Sequence, residues 1–309
     1  MNTASRRRFL QAATATLLAA PAVNAIQPLG RTGKARLQLS LAAYSFREFF
    51  TNTQRPGAKN PPPADQVMDM FKFIDYCAAH DCDGAELTSY FFPKELSTDY
   101  LVQVRRHAFL KGVAVSGTAI GNNFSHPKGA KRDEEIAKTK QWIDRAAVLG
   151  APHIRVFAGQ TKELSREEAD KLVVAALEEC SDYAGQKGIF LGIENHDAIG
   201  SAEHLLKLIK QVNSRWLGVN LDSGNFRTAD PYADFAECAP YAVNVQLKTE
   251  INPVGGAAKG PQPADLPRFV KLLREAHYQG FVALEFEGKE APYTAIPPVL
   301  KRLRELFAA

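Results

Sequence analysis

The stretch Gly280-Phe-Val-Ala-Leu-Glu-Phe-Glu-Gly288 reads as a short buried β-strand that ends in two carboxylates. Its first residues are apolar and favour β-structure. Side chains alternate along a strand, so Glu285 and Glu287 are predicted to point to the same side. A carboxylate in an apolar strand is costly unless a partner compensates for its burial. The stretch therefore predicts a strand whose C-terminal end faces a polar site.

Three earlier stretches, at 191–196, 217–222 and 243–248, are predicted strands that also end in polar side chains. These side chains are Glu194 and His196, Asn220 and Asp222, and Asn244, Gln246 and Lys248. In a parallel sheet the C-terminal ends of the strands share one edge, so the four groups are predicted to form one polar site. A divalent metal ion is an economical way to hold several carboxylates together there.

Apolar runs alternate with amphipathic helical patterns along the chain, which gives eight strand–helix units. The predicted strands are 37–43, 84–88, 113–119, 153–158, 189–194, 217–222, 242–248 and 281–287. Strict alternation of this kind predicts parallel strands, and eight units close naturally into a (β/α)8 TIM barrel with a single domain. A doubly wound open sheet is the alternative, but the chain has no G-x-G-x-x-G or Walker-type loop to support it.

The N-terminus carries the pattern of an export signal. Ser5-Arg-Arg-Arg-Phe-Leu10 matches the twin-arginine motif, an apolar run follows over 12–20, and Ala22-Val-Asn-Ala25 matches a cleavage site. The apolar run is shorter than the ~20 residues that span a bilayer. We expect residues 1–25 to be a signal peptide, residues 26–309 to form the barrel, and the protein to be exported to the periplasm. A basic amphipathic arm is the alternative.

Charge and cysteine content narrow the class of partner. Removing the three arginines of residues 1–25 lowers the formal net charge from +4 to about +1, so neither nucleic acid nor an anionic membrane is expected as a partner. The cysteines at 77, 82, 180 and 238 lack C-x-x-C spacing, which favours buried free thiols over a zinc site. An oxidising compartment would also permit a disulfide between Cys77 and Cys82.

The chain resembles the xylose isomerase-like sugar phosphate isomerase/epimerase family. The resemblance rests on I-E-N-H at Glu194, N-L-D-S-G-N at Asp222, V-Q-L-K at Gln246 and L-E-F-E at Glu285. Three further motifs resemble exported members of that family: Tyr44-Ser-Phe-Arg47, Glu86-Leu-Thr88 and Gly121-Asn-Asn-Phe124. The resemblance implies a TIM barrel that binds one divalent ion, Mn, Mg, Co or Zn, at its C-terminal mouth.

By this resemblance the metal ligands are Glu194, Asp222, Gln246 and Glu285. The family usually has histidine in place of Gln246, and an all-oxygen ligand set favours Mn, Mg or Ca over Zn. We therefore expect Mn. His196 could replace the glutamine as a nitrogen ligand. The family mechanism makes Glu194 and Glu285 the pair that removes and returns a proton, with the metal stabilising an enediolate.

Seven side chains are predicted to contact a sugar: Tyr44, Phe46, Phe124, Arg155, His196, Asn225 and Lys248. Phe157 is a further candidate for the aromatic wall, although core packing explains it equally well. Lys248 would stabilise an oxyanion or bind a hydroxyl, and its alternative is a salt bridge to Glu287. The alternative for Arg155 is a buried ion pair with Glu86.

These features predict a metal-dependent sugar isomerase or epimerase that acts on a small carbohydrate. A lyase or hydratase of 3-keto sugars or glycosides would start with the same proton removal, so the sequence leaves it open. A sugar-binding protein with a structural metal is the non-catalytic alternative, which the glutamine at 246 allows. Endonuclease IV-type DNA repair is disfavoured, because it needs more histidine ligands than the seven histidines here supply. Homo-oligomerisation is left open.

Overall fold

The computed structural model describes residues 26–51, 62–255 and 260–309. Eight parallel strands in these ranges form a closed barrel in which each strand pairs with its neighbours in chain order, and the last strand pairs with the first. The strands are β1 (Arg36–Ala42), β2 (Gly84–Thr88), β3 (Ala114–Ala119), β4 (His153–Val156), β5 (Phe190–Glu194), β6 (Leu217–Asp222), β7 (Ala242–Leu247) and β8 (Gln279–Leu284). The predicted TIM barrel is confirmed.

Eight α-helices in the described part of the chain surround the barrel. They are α1 (Met70–Ala79), α2 (Thr98–Leu110), α3 (Ala130–Leu149), α4 (Arg166–Gln186), α5 (Ala202–Ile209), α6 (Pro231–Cys238), α7 (Leu266–Glu275) and α8 (Pro292–Ala308). Several start at a polar cap, such as the Ser165–Glu168 capping box of α4 and Asp230 before Pro231 of α6. Such side chains satisfy backbone N–H groups that have no partner within the first turn of a helix.

The strand boundaries agree with prediction for β2 and β6, and differ most for β8. Prediction extended β8 to residue 287, but regular pairing with β7 ends at Leu284 and Leu247. Beyond that point a single hydrogen bond runs from the Glu285 amide to the Leu247 carbonyl. Glu285 and Glu287 therefore lie on the segment that follows β8.

The barrel interior is closely packed around polar as well as apolar groups. A Cβ atom at Gly117 would lie 1.9 Å from the ring of His153, so the absence of a side chain there makes room for that buried histidine. All four cysteines are buried and free, as predicted. Among the described helices none is long and apolar enough to cross a membrane. The predicted signal peptide, residues 1–25, lies outside the described residues.

Candidate active site

The C-terminal ends of β5 to β8 bring charged side chains together at the barrel mouth. Glu194 and Asp222 are the last residues of β5 and β6, and Lys248 and Glu285 directly follow β7 and β8. Their exposed fractions are 3%, 0%, 9% and 5% respectively. Burial of so many charged groups at one place is energetically costly, which marks the mouth as the candidate active site.

The Lys248 ammonium lies among three carboxylates. Its Nζ atom is 3.3 Å from Asp222 Oδ2 and 3.3 Å from Glu285 Oε2, and it donates a hydrogen bond to Glu287. Burial alone would lower the pKa of Lys248, but these neighbouring charges raise it well above its ordinary value. The salt bridge to Glu287, predicted as the alternative role of Lys248, is present, and the same ammonium also contacts two of the predicted metal ligands.

The backbone around Ser223 and Gly224 positions this lysine. The Lys248 amide donates to Ser223 Oγ at 2.8 Å. A Cβ atom at Gly224 would lie 2.7 Å from Lys248 Cδ and 2.9 Å from the Glu250 carbonyl oxygen, so the lysine stem passes directly over the glycine. Sequence reasoning did not assign a role to this glycine, although the D-S-G turn after β6 is visible in the sequence.

Arg155 of β4 pairs with Glu194 of the neighbouring strand β5. Arg155 Nε lies 2.9 Å from Glu194 Oε2, Nη1 donates to the Ile120 carbonyl at 2.8 Å, and the guanidinium stands 4.0 Å from the centre of the Phe157 ring. The predicted alternative, an ion pair of Arg155 with Glu86, is wrong. Glu86 lies on β2, two strands away from β4, and amide groups bind it instead.

Glu86 belongs to a buried network beneath the mouth. It accepts hydrogen bonds from Asn244 Nδ2 at 2.8 Å and from Gln246 Nε2 at 2.7 Å. Asn220 Nδ2 donates to Gln246 Oε1 at 2.6 Å, and Asn220 Oδ1 accepts from Asn244 Nδ2. Since an ionised carboxylate can only accept, the ionised form of Glu86 turns the NH₂ group of Gln246 towards Glu86 and Glu285 and its oxygen towards Asn220.

Four carboxyl groups of this region titrate near neutrality. Burial raises the pKa of Glu86, Glu194, Asp222 and Glu285 to about 7, against the opposing effect of the neighbouring cations. Burial alone would lower the pKa of Arg155, but Glu194, Tyr90 and Glu285 together outweigh that effect and raise it. A carboxyl group with a pKa near 7 can both accept and return a proton at neutral pH.

Two asparagines tie the carboxylates into position. Asn225 Nδ2 donates to Glu194 Oε1 at 2.9 Å, and its Oδ1 accepts from Lys248 Nζ at 3.5 Å. Asn225 therefore links the β5 and β7 sides of the mouth. Asn195, which sequence reasoning did not assign, exchanges two hydrogen bonds with the backbone of Asp222 at 2.8 and 2.9 Å. The one sequence feature that could have indicated this role is its position directly after Glu194.

The predicted aromatic contacts divide into two groups. Tyr44 is half-buried near Glu287, and burial followed by the Glu287 charge raises its pKa. Phe157 and His196 are in contact at the rim, with 4.4 Å between ring centres and 37° between ring planes, and burial lowers the pKa of His196. These three side chains remain available to a ligand.

Phe46 and Phe124 are wholly buried, which corrects their prediction as substrate contacts. Phe46 packs in the core against Tyr76 and Tyr293, with 4.9 Å between ring centres in each pair. Tyr90, which sequence reasoning missed, lies 6.4 Å from the ring of Tyr44 and exposes 36% of its surface. Tyr90 therefore replaces the two phenylalanines as a wall candidate.

The donor atoms do not fit the divalent ion that the family resemblance implies. Gln246 offers N–H groups instead of its oxygen, and both oxygens of Glu194 are engaged by Arg155 and Asn225. Asp222 Oδ2 and Glu285 Oε2 converge on the Lys248 ammonium at 3.3 Å, longer than the ~2.0–2.6 Å of metal–oxygen bonds. His196 packs against Phe157 at the rim and does not take the place of the glutamine.

Comparison with known proteins places the chain in a family of TIM-barrel proteins. A family described as xylose isomerase-like TIM barrel matches residues 74–306. The uncharacterized protein MJ1311 of Methanocaldococcus jannaschii is 26% identical over 181 residues, which are 53% of this chain and 59% of that relative. The chain thus aligns with less than two thirds of the length of this relative.

Solved structures with the same fold include epimerases, isomerases and a dehydratase. The 3-keto-D-glucoside 4-epimerase from E. coli superposes with a TM-score of 0.64 at 15% identity, covering 87% of this chain and 100% of that one. The IolI protein with a bound zinc atom gives 0.65 at 18%, covering 87% and 96%. The probable 3-DHS dehydratase from Bacillus anthracis gives 0.60 at 17%, covering 88% and 99%. At these identities the likeness establishes the fold.

Proposed function

This chain belongs to the xylose isomerase-like TIM-barrel family, and we propose that it is a sugar isomerase or epimerase that transfers a proton on a small carbohydrate. The observation that carries the proposal is the pair of buried carboxyl groups, Glu194 and Glu285, with pKa values raised to about 7 beside buried cations. Proton abstraction next to a carbonyl requires a base near neutrality and a positive group for the developing oxyanion.

Glu194 and Glu285 stand on different sides of the mouth. Glu194 ends β5 and Glu285 follows β8, and these strands are three apart around the barrel. In the proposed reaction one ionised carboxylate takes the C–H proton of the sugar, and the other, as the acid, returns a proton to carbon. Delivery to the opposite face gives epimerisation, and delivery to the neighbouring carbon gives isomerisation.

The remaining groups hold the pair in place. Arg155 and Asn225 each contact one oxygen of Glu194, which leaves a lone pair for the proton, and Lys248 and Gln246 contact Glu285. The aromatic residues at 44, 90 and 157 provide apolar surface at the rim against which a sugar ring can pack. We propose that His196, which packs against the ring of Phe157, contacts a substrate hydroxyl.

Hydrogen–deuterium exchange tests the proposal on many candidate sugars at once. The full chain is incubated in D₂O with a panel of keto and aldo sugars, including 3-keto glucosides, and carbon-bound deuterium is followed by NMR. Glu285→Gln should lower exchange about 10²-fold or more, the usual scale for a general acid–base group. Exposed Glu290→Gln serves as the matched control. Full exchange by the Glu285 variant would refute the two-carboxylate mechanism.

A lyase is the second candidate, because a dehydratase shares this fold. Removal of the same proton next to a ketone would then expel an oxygen from the neighbouring carbon. The exchange experiment separates the two reactions. An epimerase returns a sugar that has gained deuterium and lost no other atoms, whereas a lyase yields an unsaturated product. A sugar-binding protein without turnover would show ligand-induced stabilisation and no exchange.

The metal-dependent form of the reaction, with Glu194, Asp222, Gln246 and Glu285 around a Mn ion, is the competing mechanism. The zinc of the IolI structure favours it, and so does the Asp222 Oδ2 atom, which is buried and, apart from its ion pair with Lys248, makes no hydrogen bond to the described residues. It requires Gln246 to turn its oxygen away from Asn220 and Lys248 to leave the centre of the site. The affinity of the protein for Mn²⁺ therefore distinguishes the two mechanisms.

We also propose that the protein is exported by the twin-arginine route, because the motif at residues 5–10 precedes an apolar run and a cleavage site in the expected order. Replacing Arg6 and Arg7 by lysine should leave the precursor in the cytoplasm, as measured by fractionation and immunoblotting. Unchanged appearance in the periplasm would refute the assignment.

A further inference from the structure

The centre of the charged cluster is occupied by a side chain of the protein itself. The Lys248 ammonium is the point on which Asp222, Glu285 and Glu287 converge, and Asn225 also accepts from it. The predicted metal ligands Asp222 and Glu285 thus already have a cation between them. A positive charge is required there, because carboxylates this deeply buried are unstable without one.

The lysine is held at this point by structure on both sides of it. Its amide is fixed by Ser223, its stem lies against Gly224, and only 9% of its surface is exposed. A surface lysine samples many rotamers, whereas this one is confined by a backbone that approaches within van der Waals distance. The ammonium is therefore a built part of the site.

The side-chain amide of Gln246, the fourth predicted metal ligand, points its oxygen away from the carboxylates. Glu86 and Asn220 fix the Gln246 amide so that its N–H groups face the carboxylates of Glu86 and Glu285, and its oxygen faces Asn220. Reversing the amide would place an N–H against the Asn220 donor and an oxygen against the Glu86 carboxylate. Both contacts are repulsive, so the network opposes the ligand orientation.

We propose that Lys248 takes the place of the divalent ion, so that the ammonium serves as the electrophile of a metal-independent reaction. This inference rests on the proposed function. When the C–H bond breaks, its electron pair forms the carbon–carbon double bond and the carbonyl π pair moves to oxygen. The ammonium gives up its hydrogen bond to Glu287, the most exposed of its carboxylate partners, and donates to that oxyanion instead, and the pairs return when carbon is reprotonated, with no net oxidation.

Binding of Mn²⁺ gives a test that does not depend on activity. The full chain is treated with EDTA, desalted and titrated with Mn²⁺, and free Mn²⁺ is measured by electron paramagnetic resonance. The wild-type protein should show no binding tighter than about 1 mM, the weak limit for protein sites of hard cations. Stoichiometric binding in the micromolar range would overturn the proposal.

Removing the ammonium should create the site that it replaces. Lys248→Met keeps the stem and leaves three carboxylates facing one another, so Mn²⁺ should bind at least tenfold more tightly than in the wild type. Adding Gln246→His should tighten binding further, since imidazole is a transition-metal ligand. Exposed Lys289→Met is the matched control and should bind as the wild type does. Equal Mn²⁺ affinity in Lys248→Met and the control would contradict the proposal. If Lys248→Met folds poorly, the Mn²⁺ titration of the wild-type protein alone tests whether Lys248 replaces the metal ion.

Deuterium exchange in EDTA and in Mn²⁺ separates this inference from the proposed function. Equal exchange in both conditions, with at least a 10²-fold loss in Lys248→Met, is the expected result for loss of an oxyanion donor. Exchange only with Mn²⁺ would overturn the role of Lys248 while the proposed function stands. Exchange in neither condition would refute the proposed function and the catalytic role of Lys248 together.

Discussion

Replacing Arg155 by methionine removes the guanidinium that neutralises Glu194 and keeps an unbranched apolar stem. The variant loses the 2.9 Å ion pair, the 2.8 Å hydrogen bond to the Ile120 carbonyl and the contact with the Phe157 ring. The hydrogen bond from Asn225 to Glu194 is neutral and remains. A buried carboxylate then stands without a direct cationic partner.

The size of the effect follows from the burial of both partners. Their side chains are each 4% exposed, so solvent cannot replace the lost charge. Removing one partner of a buried pair typically costs about 3–5 kcal/mol, because the other charge is left uncompensated. We expect the free energy of unfolding of Arg155→Met to fall by that amount at pH 8, whereas exposed Arg106→Met should change it by less than about 0.5 kcal/mol.

The loss of unfolding free energy in Arg155→Met should be smaller at acidic pH. Arg155 lowers the pKa of Glu194, so its removal raises that pKa further above the ordinary value of a glutamate. A group whose pKa is raised in the folded state contributes stability that is present at low pH and lost as pH rises through the folded pKa. The variant is therefore penalised most at pH 8 and least near pH 5.5, where Glu194 is protonated.

Urea unfolding followed by circular dichroism at pH 8 and pH 5.5 measures these differences. The double variant Arg155→Met with Glu194→Gln should be more stable at pH 8 than Arg155→Met alone, because the unpaired charge is gone. A cost below about 1 kcal/mol at pH 8, or a double variant no more stable than the single one, would refute the reasoning that the pair is electrostatically coupled.

Two further predictions concern the same site. The rate of deuterium exchange at low substrate concentration should be highest near pH 7 and fall on either side, because the mechanism needs one ionised and one protonated carboxyl group and burial raises the pKa of both Glu194 and Glu285 to about 7; a pH profile flat from about 5 to 9 would contradict this. Gly224→Ala should lower the rate at least tenfold, because its Cβ would displace the Lys248 stem 2.7 Å away, whereas Gly30→Ala, with nothing within 4 Å, should have no effect on either rate or stability.

The fold was predictable because its signals are local and repeated. Each strand is a short apolar run, each helix has its own apolar face and several have a polar cap, so eight units could be recognised without knowing how they meet. Strand alternation also placed Glu194 and Asp222 on the inner side of β5 and β6, where the structure has them. Closure of the barrel then brings the strand ends to one mouth.

The end of β8 was misplaced for a reason that lies outside its own sequence. The apolar and β-prone pattern continues through Phe286, but the ladder stops at Leu284 because the regular pairing of its partner strand stops at Leu247. A strand boundary depends on the neighbour as well as on local preference. The same limit applies to Phe46 and Phe124, whose burial depends on the segments that cover them.

Partner choice among the charged residues was decided only by the tertiary structure. The sequence supplied Arg155, Glu86, Glu194 and Lys248, and it determined that they lie near strand ends of one barrel. Whether the arginine meets one glutamate or the other depends on the order of strands around the barrel and on their stagger, which join residues far apart in the chain. The orientation of the Gln246 amide and the central place of the lysine depend on four elements at once, so no local pattern could encode them.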